Sequence, residues 1–545
     1  MEMVHGGRVV ARALKREGVS HLFTLCGGHI QSIYDGCLDE NIRVVDTRHE
    51  QTAGHAADGW ARATGTPGVC AVTAGPGVTD VVTAVANAQR AGVPMVCIGG
   101  AGPRILKHMG SLQDMDHVEL MRPITKWSAT VTETRRLGEY IATAFRIATT
   151  GVPGPVFLEM PLDVLMDMVE DAAPTSEVRT RTDARPAPDG RDLEEAAALL
   201  TRAQRPVFVI GSQLRWSRSS SALAELLEVF PAPVFLNGLA RGSLPPSHGC
   251  VFSQSRKQAL QRADVVVMCG TPFDFRLGYG RSVNEEARII QVDLDAAEIG
   301  RNRAFDVGLH ADTGLFLAAL KNQLRVSNTP ERQAWLEEIR TAERGRLQEM
   351  QAQLQDTSNP PNPLRVCSEV NRFLKEDTIV VGDGGDFVAT AAYTLRIQKP
   401  GCWMDPGPLG TLGVGPGYAM AAKLAHPDRD VVIMYGDGSF GLHGLEFEAM
   451  VRQGIKVVGI IGNDAAWTQI RRGQKDLYGE ERAVATKLAL TRYDQVVTAL
   501  GGQGEFVETV DALGPALERA FASPRAALVN VRIGSSDFRR NALSV

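Results

Sequence analysis

The chain has 545 residues, 44% of them hydrophobic and 22% charged, with 55 glycines and a formal net charge of −5. At roughly 100–200 residues per domain this length predicts about three domains, and the acidic balance leaves no basic surplus with which to grip nucleic acid. No apolar run reaches the roughly 20 residues of a membrane helix, and the opening MEMVHGGRVV lacks the apolar core of a signal peptide, so a cytoplasmic protein with no membrane partner is expected.

In chain order, the first predicted element is an amphipathic helix, VVARALKREG from Val9, feeding the apolar strand HLFTL. The same succession returns at LEEAAALLTRAQRPVFVIG from Leu193 and at VCSEVNRFLKEDTIVVGDG from Val366. Between these points short Val/Ile-rich runs alternate with helix-length segments, as in GVCAVT then VTDVVTAVANAQRAG, or DVVVMCG then RIIQVDLD. Continuous apolar strands separated by helices predict an α/β protein of three doubly wound parallel-sheet domains, over 1–170, 190–325 and 360–545. The polar, proline-bearing stretch from Asp171 to Pro188 reads as a linker, and the charged segment from Glu331 to Gln355 as an exposed helix leading to the third domain. Eight scattered cysteines (Cys26, Cys37, Cys70, Cys97, Cys250, Cys269, Cys367, Cys402), without a CxxC pair, predict buried free thiols.

The sharpest local signal is DVVIMYGDGSFGLHGLEFEAMVRQGIKVVGIIGND, from Asp430 to Asp464. A strand ends in Gly436-Asp437-Gly438, a helix follows, and a second strand ends at Asn463-Asp464. Gly436, Gly438 and Gly441 satisfy the dinucleotide fingerprint GxGxxG, so an oxidoreductase is one reading. Asp437 points elsewhere, because a carboxylate inside a phosphate-binding turn repels a bare pyrophosphate but becomes useful if a cation is bound. Asp437 and Asp464 can meet at one sheet edge, and two hard oxygen ligands plus diphosphate oxygens describe a Mg²⁺ site. The same residues also suit a helix cap and a turn.

The segment resembles the thiamine-diphosphate enzymes related to acetolactate synthase, whose GDG is followed by a helix, a strand and usually Asn-Asn. The resemblance implies thiamine diphosphate and Mg²⁺ as cofactors, with the metal on Asp437, Asp464 and the carbonyl of Ala466. This chain has Asp464 where Asn is usual, and Asn463 remains an alternative ligand. DTRHEQTAGHAADGWAR resembles the family segment that carries a catalytic glutamate, which gives that role to Glu50: a carboxylate beside a ring nitrogen of the aminopyrimidine favours the imino tautomer that removes the thiazolium proton. Taken alone, such a Glu50 is more often a first-turn acid favoured by the helix dipole. VTAGPGVTD, with Gly75 and Pro76, resembles the turn near the pyrimidine, and DPGPLGTLGVGPG the segment gripping it from the other side, where Leu412 bends the cofactor and the Gly410 carbonyl meets it. GDGGDF brings Gly384, Gly385 and Asp386 to the diphosphate, beside Gly436, Gly438 and Ser439.

The N-terminal portion is similar to benzaldehyde lyase, which places His29 and Gln113 on the substrate side; the C-terminal portion is similar to 2-hydroxyacyl-CoA lyases, with Trp467 walling the channel. FDFRLGYG, with Arg276, lies where relatives bind FAD or the ADP part of coenzyme A. The resemblance therefore implies carbon–carbon lyase or carboligase chemistry on a small-molecule substrate. A 2-hydroxyacyl-CoA thioester stands ahead of a free 2-hydroxy ketone or 2-keto acid. It also implies a homo-oligomer, a tetramer, with sites shared between subunits.

Overall fold

The computed structural model describes residues 3–170, 180–217, 221–324 and 329–539. Residues 171–179 of the expected linker lie outside the described residues, and 180–188 run without helix or strand.

The first unit opens on a short strand, β1 (Met3–His5), and then builds a parallel sheet from β2 (His21–Thr24), β3 (Arg43–Asp46), β4 (Gly68–Val72), β5 (Met95–Ala101), β6 (Trp127–Thr130) and β7 (Pro155–Pro161). Their order is β3-β2-β4-β5-β7-β6, and β8 (Met168–Glu170) closes the unit by pairing antiparallel with β1. The middle sheet uses β9 (Pro206–Ile210), β10 (Val234–Leu236), β11 (Val265–Cys269), β12 (Arg288–Asp293) and β13 (Val307–His310) in the order β10-β9-β11-β12-β13. The third uses β14 (Ile379–Gly382), β15 (Trp403–Met404), β16 (Val431–Gly436), β17 (Val458–Asn463), β18 (Gln503–Val507) and β19 (Ala527–Arg532) in the order β15-β14-β16-β17-β19-β18. Every pairing within these three sheets is parallel. Strands such as β4, β7, β9 and β11 are buried along their whole length, as a sheet covered by helices on both faces requires. The chain is an α/β protein of three doubly wound parallel-sheet units.

The first and third units share the same strand order, and their contact is made by small residues. The helix Glu50–Thr64 crosses the helix Gly415–Ala425 so closely that a Cβ on Gly59 would stand 2.7 Å from the Tyr418 Cα, and one on Gly417 2.7 Å from the His55 Cβ. Inside this contact a buried polar network is completed: Arg62 pairs with Asp58 at 2.6 Å, the Tyr418 hydroxyl donates to Asp58 at 2.6 Å and Asn87 donates to both. Removing one partner of a buried pair of this kind costs about 3–5 kcal/mol. The middle unit joins through Arg215, which donates to the carbonyls of Arg62 and Ala63.

The charged segment forms the helix Pro330–Leu354, with Thr329 as its cap. Its outer face is exposed, but Trp335 and Ile339 are buried against the middle sheet, and the Trp335 indole donates to the Pro206 carbonyl at 3.0 Å. All eight cysteines are free thiols. Seven are buried and Cys26 is exposed, because it sits in the turn after β2, at the sheet edge, where no core covers it.

Candidate active site

In a parallel sheet the loops that leave the carboxyl ends of the strands gather on one edge, and ligands bind there. At that edge of the third sheet lies a cavity of about 930 Å³. It is lined by Gly384, Gly385 and Asp386 after β14, Gly410 and Leu412 after β15, Gly436 at the end of β16 with Asp437, Gly438 and Ser439 after it, and Asp464, Ala466 and Trp467 after β17. The third-unit residues singled out from sequence, except Gly441 and Asn463, are thus brought to one place.

Close packing shapes this edge. A Cβ on Gly384 would lie 2.0 Å from the Leu412 Cδ2, so the leucine rests directly on the glycine. One on Gly438 would lie 2.6 Å from the Trp467 ring. Asp386 begins the helix Asp386–Thr394 and pairs with Arg472 at 2.7 Å. The Ser439 hydroxyl donates to the Gly436 carbonyl at 3.0 Å, which tightens the turn around Asp437.

Asp437 starts the helix Asp437–His443 and is buried. One carboxylate oxygen accepts the Gly438 N–H at 2.9 Å and the other the Ala466 N–H at 3.1 Å, so the two strand-end loops are tied together through it. Burial, reinforced by the Asp464 charge, pushes its pKa up to about 7. Asp464 is raised as well, by burial first, against the hydrogen bond that the Thr468 hydroxyl donates to it. A cation bound between the two carboxylates would oppose both upward shifts, because it favours their charged forms. Among the described residues no cluster of three or more His, Cys, Asp or Glu side chains forms a self-sufficient metal cage. A hard cation on Asp437 and Asp464 would need its remaining oxygen ligands from elsewhere.

Asn463 is not part of the cavity. Its fully buried amide donates to the Asn530 side chain and the Thr491 carbonyl, both at 3.1 Å, and accepts the Ala465 N–H at 3.2 Å. It is the last residue of β17 and its side chain is spent inside the sheet, whereas Asp464 beyond it faces the opening.

Asp383 escaped the sequence reading. It is fully buried and accepts the Gly413 and Gly415 N–H groups, each at 2.7 Å, thereby folding the Leu412 segment over Gly384; burial raises its pKa to about 7. The available signal was that Gly382-Asp383-Gly384 repeats the pattern of Gly436-Asp437-Gly438.

The first-unit residues gather on the equivalent edge of their own sheet, with His29 after β2, Glu50 after β3, Gly75 and Pro76 after β4 and Gln113 after β5. Glu50 opens its helix with His49 as cap, and its carboxyl is raised by burial, then by Asp80. Gly75 has φ +58°, and a Cβ on it would stand 2.7 Å from the Gln113 Cβ. His29 bonds the Thr73 hydroxyl at 3.1 Å, and burial lowers its pKa. None of these five residues lines the 930 Å³ cavity.

The cavity instead extends to the middle unit, where Arg241, Arg256, Phe275, Arg276 and Tyr279 line it. Arg241 lies 4.7 Å over the Trp403 ring and Arg256 donates to Asn237 at 2.9 Å, while Arg276 pairs with Asp274 at 2.7 Å. A second cavity, of about 370 Å³, opens at the carboxyl edge of the middle sheet beside Gly270, Thr271 and Asp293.

Comparison with known proteins agrees with this geometry. The chain matches the thiamine pyrophosphate enzyme N-terminal TPP-binding domain over residues 4–120, the central domain over 193–320 and the C-terminal TPP-binding domain over 383–531. It is 43% identical to a probable acetolactate synthase of Mycobacterium bovis, over 97% of this chain and 96% of the relative. It is 40% identical to 2-hydroxyacyl-CoA lyase 2 of Bos taurus and 38% to that of Homo sapiens, each over 99% of this chain and 92% of the relative. The chain belongs to the thiamine pyrophosphate enzyme family, as a thiamine-diphosphate-dependent lyase or carboligase of the acetolactate synthase and 2-hydroxyacyl-CoA lyase type.

Proposed function

We propose that this enzyme makes or breaks the carbon–carbon bond beside the carbonyl of a 2-hydroxyacyl-CoA, giving an aldehyde or ketone plus formyl-CoA or running the reverse. The observation that carries this reading is the continuity of the large cavity from the Asp437 turn to the arginines and aromatic rings of the middle unit. A long anionic thioester needs such a corridor, and guanidinium groups are suited to its phosphates. The ADP part of the thioester, or a separate ADP or FAD, suits the smaller cavity, which lies at the carboxyl edge of a doubly wound sheet. Acetolactate synthesis from free 2-keto acids is the second reading, favoured by the 43% identity to the mycobacterial relative.

Bound thiamine diphosphate supplies a carbon nucleophile and a sink for the electron pair of the broken bond. Asp437, Asp464 and the Ala466 carbonyl would hold the Mg²⁺ that compensates the diphosphate, with Gly384, Gly385, Gly436 and Gly438 admitting its oxygens. Leu412, seated on Gly384, would support the cofactor, with Gly410 beside it. Glu50 would keep a proton at the pyrimidine ring nitrogen, while His29 would move a proton at the substrate hydroxyl and the Gln113 amide would donate a hydrogen bond to a substrate oxygen. Because the Glu50 edge and the Asp437 cavity are separate within one chain, we assign them to one site built by two chains, in a homodimer or a tetramer of two such pairs.

Supplying the purified protein with thiamine diphosphate and Mg²⁺ and assaying 2-hydroxyacyl-CoA cleavage in parallel with acetolactate formation from pyruvate distinguishes the readings. Formyl-CoA release at the higher kcat/KM is expected; acetolactate at the higher value would transfer the assignment to the second reading.

A further inference from the structure

We propose that His117, oriented by Glu159, is the positioning residue that holds the Gly75 turn and the Gln113 loop on the substrate side of the site. The inference rests on the assignment of that edge to cofactor and substrate made above. His117 is 1% exposed and opens the short helix His117–Met121 at the root of the loop that carries Gln113. Its Nε2 accepts the Gly75 N–H at 2.8 Å. A backbone N–H can only donate, so Nε2 carries the lone pair and the ring proton sits on Nδ1. Nδ1 in turn donates to the Glu159 Oε1 at 2.8 Å, and the second Glu159 oxygen accepts the Thr130 hydroxyl at 2.6 Å.

This chain of bonds ties β6 and β7 to the turn that opens the helix Pro76–Ala91, whose capping residue Gly75 has no side chain to hold it. Gly75 has φ +58° and ψ −111°, which a residue with a Cβ rarely adopts, and Gln113 packs against it with a positive φ of its own, 62°. His29 is fastened to the same turn through Thr73. The imidazole therefore fixes one segment bearing Gly75 and Pro76 and, by packing, a second bearing Gln113. Glu159 fixes the tautomer: without its carboxylate the proton could move to Nε2, where it would face the Gly75 N–H donor to donor.

The test compares His117→Gln, whose amide oxygen can reach the Nε2 position, with His117→Asn, one methylene shorter, and with His117→Phe. Each is measured in the presence of thiamine diphosphate and Mg²⁺ for cofactor affinity, for kcat and KM, and for backbone hydrogen exchange in the peptide covering residues 73–78. Asn and Phe are expected to lose about 10–100-fold in kcat/KM, the usual cost of an orienting partner. They should expose the Gly75 amide to exchange while cofactor affinity holds, and Gln should restore both readouts. If Phe fails to fold, the Gln–Asn pair decides. Equal exchange and equal kinetics in the Gln and Asn variants would overturn the proposal. A wild type without turnover on any of the substrates would instead count against the functional reading, and the exchange data would still decide the role of His117.

Discussion

Glu50 sits at the first position of its helix, buried and close to Asp80, and both influences raise its pKa. A carboxyl that takes and returns a proton near neutral pH benefits from such an environment. Glu50→Gln should fold and retain cofactor but lose about 10²–10⁴ in turnover; near-normal turnover in a steady-state assay would remove it from the proton relay. Sequence alone could not single out this residue, because first-turn acids are common on helices for dipole reasons, and only its likeness to a family segment did so. Asp437 drew attention without that help, since a carboxylate inside a phosphate turn is electrostatically unfavourable unless a cation is present, and the structure brings it and Asp464 to one cavity. Which of Asn463 and Asp464 faces the cavity could not be read from sequence, because neighbouring residues at a strand end face opposite ways; Asp464 lines it and Asn463 does not. Asp383 was missed because its work is done by burial and by two backbone N–H groups from a segment 30 or more residues later.

At the scale of elements, the start of the Glu50 helix is held by another unit. Glu446, the first residue of the helix Glu446–Arg452, accepts the Arg48 N–H with both carboxylate oxygens at 3.0 Å. Burial dominates its environment and raises its pKa from 4.5 to about 7, against the backbone N–H of Arg48. The folded chain thus binds this proton more tightly than the unfolded chain, so the stability it contributes is present at low pH and is lost as pH rises from 4.5 towards about 7. Glu446→Gln lacks that dependence. The stability difference, wild type minus variant, should therefore shrink as pH is raised through this window in denaturant titrations, and a difference that grows would contradict the account. The helix-to-strand succession that announced each unit appears in the structure as Gly6–Arg16 before β2, Gly190–Arg202 before β9 and Pro363–Phe373 before β14. Such elements are legible because their apolar periodicity is local. The Glu446 contact is not local: 446 and 48 are 398 residues apart, and nothing in either segment names the other.

For the whole molecule, the repeated strand order of the first and third sheets gives each a ligand edge, and the chain joins the two units through the helices that carry Arg62, Asp58 and Tyr418. The fold class could be read from alternating strands and helices; this arrangement could not. Exposed apolar side chains stand near both edges, Ile105, Met109 and Leu112 on the first unit and Leu442, Leu445 and Ile470 on the third. Pairing two chains would cover them and bring Glu50 of one chain to Asp437 of the other. Sedimentation of the active enzyme should show a dimer or tetramer, and an active monomer would refute the shared site. The central claim, that Asp437 serves a metal-bound diphosphate rather than a dinucleotide, is tested most directly by titrating wild type and Asp437→Ala with thiamine diphosphate and with a nicotinamide dinucleotide, each with and without Mg²⁺. The account predicts that wild type binds thiamine diphosphate only with Mg²⁺ and that Asp437→Ala loses this binding and the chelator-sensitive activity together; a wild type that ignored thiamine diphosphate and Mg²⁺ but bound the dinucleotide without metal would contradict it.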